Sequence, residues 1–131
     1  MMTKILALFF PLLLCAGAIF SQTPGCNKFR EGKFRIADSQ AGVVTIADRN
    51  SMYQTETCEA LKAVVRFRIS WQDNCSYTLK LDKVLRNENK INFPPDLEIK
   101  VKITQTCDSG YTQETTSSIT NGTYNVVVTK L

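Results

Sequence analysis

Apolar and polar residues alternate along much of the chain, which is the pattern of a β-strand with one buried face and one solvated face. In 65–71 the odd positions are apolar and the even positions are polar, and 97–103 repeats this pattern. Other stretches are rich in Thr, Val and Tyr, which favour strands. The predicted strands are 33–36, 43–48, 52–58, 65–71, 77–82, 97–103, 111–119 and 124–129. The pattern therefore predicts about eight strands and no long helix.

The segments between these strands are short and rich in Gly, Asn, Asp and Ser, which is typical of hairpins. The one long connection, 87–95, ends in Pro94 and Pro95, which exclude a helix and a strand ladder alike. Strands that share one apolar face must curl together to bury it. We therefore predict an all-β fold, a small antiparallel meander that closes as a lipocalin-like barrel or a strongly curved sheet. The predicted inward residues are Phe34, Val65, Phe67, Ile69, Trp71, Tyr77, Leu79, Leu81, Leu97, Ile99, Val101 and Ile103.

The N-terminal segment 1–21 has the features of a signal peptide. Lys4 precedes an apolar stretch of about 16 residues, and the small residue Ser21 offers a cleavage position. The stretch is shorter than the roughly 20 residues that span a bilayer. Acylation at Cys15 is disfavoured because Leu14, which precedes it, is large. We therefore predict a signal peptide over 1–21, one all-β domain over 22–131 and an exported protein, periplasmic, envelope-associated or secreted.

Composition narrows the chemistry that the domain can perform. The whole chain contains no His, so it lacks both a Ser-His-Asp triad and the commonest metal ligand. No phosphate loop, dinucleotide fingerprint or closely spaced Cys pair occurs. A net charge of +3 over 22–131, with aromatic residues out of phase with the basic ones, does not favour nucleic-acid binding. We predict no catalytic residues, no metal and no cofactor.

Four cysteines remain after the leader: Cys26, Cys58, Cys75 and Cys107. An even number in an exported chain favours two disulfides, and the sequence alone allows three pairings. In an ideal meander Cys58 lies at one end and the other three lie near the opposite end. That placement makes a Cys75–Cys107 bridge one of the pairings to consider, with Cys26–Cys58 as its complement.

Two motifs resemble a group of small exported bacterial β-proteins of unknown function. The first is Cys26-x-x-Phe29-x-x-Gly32-x-Phe34, and the second is Trp71-x-x-x-Cys75-x-Tyr77. Between them, Ile46-Ala-Asp-Arg49 is similar to the group's I/V-x-R segment. Some proteins of this kind carry a DNA topoisomerase IV label. That activity needs an ATPase fold and a Mg²⁺-binding carboxylate cluster, for which this sequence has no motif.

The resemblance implies a shared disulfide between Cys26 and Cys75. Cys58 and Cys107 depart from the group's pattern, and their joint presence predicts that they pair with each other. Trp71 then has two interpretations, a ring that stacks on a ligand or a core residue beside the Cys26–Cys75 bridge. We favour the core residue because large aromatic side chains dominate small cores.

Two functional hypotheses follow. The first is an exported, non-enzymatic domain with a binding or structural role, an unidentified partner and peripheral association with the envelope. The second is a lipocalin-like carrier of a small apolar ligand, which requires an apolar cavity of at least roughly 300 Å³. The candidate lining residues of such a cavity are Phe34, Phe67, Trp71, Tyr77, Leu79 and Ile99.

Overall fold

A computed structural model describes residues 25–38 and 42–131. The predicted signal peptide and Cys15 lie outside these residues, as does part of the first predicted turn. Among the described residues, no helix is both long enough and apolar enough to cross a membrane.

Eight antiparallel strands form one closed barrel, in which each strand pairs with its neighbours in sequence and the last pairs with the first. This confirms the predicted all-β meander and its closure. The strands are β1 (Gly32–Asp38), β2 (Val43–Arg49), β3 (Tyr53–Cys58), β4 (Ala63–Asp73), β5 (Ser76–Asn87), β6 (Glu98–Cys107), β7 (Gly110–Ser117) and β8 (Tyr124–Lys130). Closure leaves no unpaired strand edge in the sheet, so every strand has two ladder partners.

The two ends of the barrel differ. One end, called the base here, holds a 3₁₀ helix at Asn27–Phe29 and the short turns after β2, β4 and β6. Phe29 of that helix is fully buried and packs against the rings of Phe34 and Tyr111. The opposite end, called the rim, holds the turns after β3 and β7 and the long connection between β5 and β6. The helix therefore closes the base, whereas the rim is built from turns and loops.

The core follows the predicted alternation. All twelve predicted inward residues either belong to the buried core cluster or pack against it; Trp71, Leu81 and Ile99 are the three that are partly buried. The longest pair of strands, β4 and β5, contains three register shifts. Such irregularities bend the strands and help a sheet of this size to close.

The disulfide pairing was predicted only in part. Cys26 and Cys75 form a disulfide at the base, as the resemblance implied. The predicted Cys58–Cys107 bridge is wrong, because Cys58 is a free, buried thiol while Cys107 is disulfide-bonded but not to Cys58. Topology explains the error: Cys58 ends β3 at the rim, whereas Cys107 ends β6 at the base. The alternative with Cys75–Cys107 is also wrong, since Cys75 is already bonded to Cys26.

Peptide mapping checks this pairing. After alkylation in denaturant without reduction, we expect the Cys58 peptide to be alkylated and the Cys26 and Cys75 peptides to be joined. The same digest after reduction, with every cysteine alkylated, is the control. A peptide that joins Cys58 to Cys107 would contradict the assignment.

Candidate functional site

An arginine side chain, Arg49, lies inside the barrel near its base. It is the last residue of β2 and only 2% exposed, the one buried cationic side chain among residues 25–38 and 42–131. Its Nε donates to Gln54 Oε1 at 2.8 Å and its Nη1 to the Phe29 carbonyl at 2.6 Å. Its Nη2 donates to the hydroxyls of Tyr77 and Tyr111 at 3.0 and 2.9 Å. All three guanidinium nitrogens are therefore engaged by the protein itself.

Aromatic rings enclose the same guanidinium. Its carbon lies 4.4 Å from the ring centre of Phe34, 4.8 Å from that of Tyr77 and 6.0 Å from that of Trp71. A guanidinium is planar and weakly hydrated, so ring faces can replace part of its solvation shell. Three aromatic residues of the two sequence motifs, Phe34, Trp71 and Tyr77, thus meet around one buried cation.

Two hydrogen-bonded chains lead from Arg49 toward the rim. On β3, Gln54 Nε2 donates to Glu56 Oε2 at 2.7 Å. On the opposite wall, the Tyr77 hydroxyl donates to Gln113 Oε1 at 3.2 Å, and Gln113 Nε2 donates to Thr115 Oγ1 at 2.8 Å. Within the described part of the chain, no fully buried side-chain nitrogen or oxygen lacks a partner. The interior is therefore a connected polar network set within an apolar wall.

Burial and mutual charge set the protonation states of this network. Burial disfavours the Arg49 cation, but the neighbouring phenols and Glu56 outweigh it, so the pKa of Arg49 is raised and the side chain stays charged. Burial also raises the pKa of Tyr77 well above its ordinary value, so that phenol stays neutral at physiological pH. Burial raises the pKa of Glu56 as well, and the Gln54 amide and the Arg49 charge oppose that shift without cancelling it.

A cavity of about 150 Å³ lies between this network and the rim. It reaches the rim, because its lining includes Asp38, which ends β1, and Val43, which begins β2. The polar part of the lining is Asp38, Thr45, Gln54, Glu56, Tyr77, Gln113 and Thr115. The apolar part is Ile36, Val43, Leu79, Ile99, Val101 and Val126. The outer surface of β4–β7 bears a larger depression of about 620 Å³, but it is a groove open to solvent that mixes lysines with carboxylates.

The predicted lining residues have different fates in the structure. Tyr77, Leu79 and Ile99 line the cavity. Phe34 and Phe67 are instead packed in the core. Trp71 packs at the base, where its ring centre lies 4.6 Å from that of Tyr77. The guanidinium carbon of Arg30 lies 4.5 Å from the Trp71 ring centre and covers that ring. Trp71 is therefore a core residue near the Cys26–Cys75 bridge rather than a ring in the cavity.

The polar residues of the interior were missed by the sequence analysis. The predicted strand 43–48 stops one residue before Arg49, and the polar residues Asn50 and Ser51 that follow make Arg49 look like part of the turn. Gln54 and Glu56 were included in a strand but not assigned to its inner face. The available signal was their spacing of two from the buried Cys58, which places all three side chains on one face of β3.

Comparison of the chain with protein-family models, curated proteins and solved structures found no match. Among the described residues, no group of three or more His, Cys, Asp or Glu side chains could hold a metal ion. The geometry of the interior is thus the main guide to function.

Arg49→Lys tests the network at the base. A lysine ammonium cannot reach Gln54, the Phe29 carbonyl and both tyrosine hydroxyls at once, so buried acceptors lose their donor. We expect the free energy of unfolding to fall by about 3 kcal/mol. Urea denaturation followed by the fluorescence of Trp71, the only Trp in the sequence, measures it.

Arg35→Lys is the matched control for this substitution. Arg35 lies on β1, the strand next to β2, and its side chain is exposed. We expect a change within about 0.5 kcal/mol. Equal effects of the two substitutions would show that Arg49 has no special role.

Glu56 makes the stability of the barrel depend on pH. Its pKa is higher in the folded than in the unfolded chain, so the folded state binds the proton more tightly. The resulting stability is present below the unfolded pKa and is lost as the pH rises through the folded pKa. We therefore expect the unfolding free energy of the wild type to fall relative to that of Glu56→Gln between pH 4 and pH 8, as measured by urea denaturation. Glu114→Gln, on the exposed face of β7, should show no such trend.

Proposed function

We propose that this protein is an exported, non-enzymatic β-barrel whose role is to bind a partner or small ligand. The observation that carries the proposal is that the two ends of the barrel interior differ. At the base, the polar groups satisfy one another, whereas toward the rim the same network borders an accessible cavity. A rigid wall around a small cavity with a few fixed polar groups is the usual form of a binding site.

The cavity argues against transport of a lipophilic molecule. Its volume of about 150 Å³ is below the roughly 300 Å³ that such a carrier requires. An apolar ligand would also cover the Glu56 carboxylate without offering it a hydrogen bond, which is costly. A small polar ligand therefore fits the interior better than an apolar one.

The protonation states of the network support a non-enzymatic role. All three nitrogens of Arg49 donate to protein acceptors, through four of the five N–H groups, so its charge is held by the protein rather than directed at a place where charge could develop in a transition state. The raised pKa of Tyr77 makes its phenol a poor base near neutral pH. At the base, Arg49 and Tyr77 are thus arranged to hold their neighbours rather than to move protons.

Export is supported by three independent features. The segment 1–21 has the composition of a signal peptide. The Cys26–Cys75 bridge is typical of oxidising compartments. The two motifs resemble exported bacterial proteins, and the bridge joins one motif to the other.

Native mass spectrometry of the protein from its own host tests the proposal. We expect the protein in the envelope or secreted fraction, with the mass of residues 22–131 and a retained small molecule or partner. The same sample denatured without reduction gives the mass of the polypeptide alone. A full-length, cytoplasmic protein with reduced Cys26 and Cys75 would contradict export, and a ligand-free protein that turns over a substrate would contradict the binding role.

A further inference from the structure

The hydrogen bonds of the interior leave a carboxylate oxygen available at the cavity. Glu56 Oε2 accepts from Gln54, but among the described residues Glu56 Oε1 has no hydrogen-bond partner. Glu56 is partly buried and lines the cavity, and no fully buried side-chain oxygen in the described chain lacks a partner. Oε1 is thus accessible from the cavity.

The strongest donors near this oxygen are engaged elsewhere. Gln54 donates to Glu56, Gln113 donates to Thr115, and Arg49 donates to groups deeper in the barrel. The charged group that the cavity offers a ligand is therefore the Glu56 carboxylate, an acceptor. A ligand that donates hydrogen bonds and is positively charged would match it.

The charges around the cavity favour the same class of ligand. Glu56 and Asp38 are the two carboxylates in its lining, and Arg49 lies below the cavity floor behind Gln54. A cationic ligand would be attracted to the Glu56 carboxylate, whose Oε1 is open to the cavity. An anionic ligand would meet both carboxylates and would find every nitrogen of Arg49 engaged.

The volume limits the size of the ligand. A cavity of about 150 Å³ accommodates roughly six non-hydrogen atoms. Ile36, Leu79 and Val126 provide an apolar surface for a short hydrocarbon chain. From this geometry we propose that the cavity binds a small alkylammonium ion, with its ammonium group on Glu56 and its hydrocarbon chain against the apolar wall. This proposal rests on the binding role proposed above and specifies the ligand class.

Titration with n-butylammonium tests the assignment. The titration is followed by ¹H–¹⁵N NMR of the purified protein at pH 8.5. We expect saturable chemical-shift changes at cavity residues and a dissociation constant of about 1 mM or tighter, which is within the range available to a ligand of about five non-hydrogen atoms. n-Butanol, which matches the shape without the charge, and n-butyrate, which reverses it, should bind at least about tenfold more weakly. Equal binding of n-butanol, or no shifts with n-butylammonium, would overturn the proposal.

Variants locate the interaction. Glu56→Gln should weaken n-butylammonium at least about tenfold, whereas Glu114→Gln, whose side chain faces outward from β7, should leave binding unchanged. Unchanged binding by Glu56→Gln would overturn the role of Glu56.

A pH series on the wild type supplies the same test without a substitution. The charged or titratable side chains near Glu56 are Asp38 from β1 and Tyr77 from β5, which share the cavity lining, and Arg49 from β2, whose charge acts on Glu56. Below pH 8.5 Arg49 stays charged and the Tyr77 phenol stays neutral, because the pKa of each is raised. Protonation of Glu56 at low pH removes the charge that the ammonium group would contact. Binding should therefore be lost by pH 4, and binding that persists there would count against a carboxylate site.

The ligand retained in the native protein separates this inference from the proposed function. A retained anionic or uncharged molecule would leave the binding role standing and would overturn the alkylammonium assignment. A retained alkylammonium ion would support both.

Discussion

The interior of this barrel depends on one buried positive charge. Removing a guanidinium from water is costly unless its donors are satisfied and its charge is balanced. Arg49 meets the first requirement with acceptors from the 3₁₀ helix and from β3, β5 and β7. It meets the second in part through the charge of Glu56. Gln54 of β3 connects the two side chains, because it accepts a hydrogen bond from Arg49 and donates one to Glu56. A single side chain thereby connects the base of the barrel to the cavity.

The helix at the base and the disulfide belong to the same arrangement. The Phe29 carbonyl that accepts from Arg49 comes from the helix, and Cys26, just before that helix, is bonded to Cys75 between β4 and β5. Cross-linking across 49 residues contributes about 4 kcal/mol in the chain-entropy model. The bridge therefore holds the helix on the base, where its carbonyl can serve Arg49.

The sequence was sufficient to predict the all-β meander, because the alternation in β4 and β6 gives each strand one apolar face that must be buried, and the short turns pair neighbouring strands. It was not sufficient for the interior chemistry. A polar residue at the end of a strand, such as Arg49 before Asn50, reads as part of a turn unless the strand register is known. The Cys58–Cys107 pairing failed for a different reason: it followed from the departure of two cysteines from a resemblance, although strand counting already placed them at opposite ends. The strand topology, rather than the even number of cysteines, therefore determines which cysteines can pair.

Substitutions at the closed base and at the rim cavity have different consequences. At the base, Arg49 is held by several groups, so its substitution leaves partners unsatisfied on the 3₁₀ helix and on β3, β5 and β7. Toward the rim, Glu56 and Thr115 each end a chain of hydrogen bonds, and beyond them the wall is the mixed lining of the cavity. A change at such a terminal position alters what the cavity offers a ligand while leaving the cage around Arg49 intact. For the binding role proposed above, this means that substitutions near the rim would change ligand preference while the base stays the same.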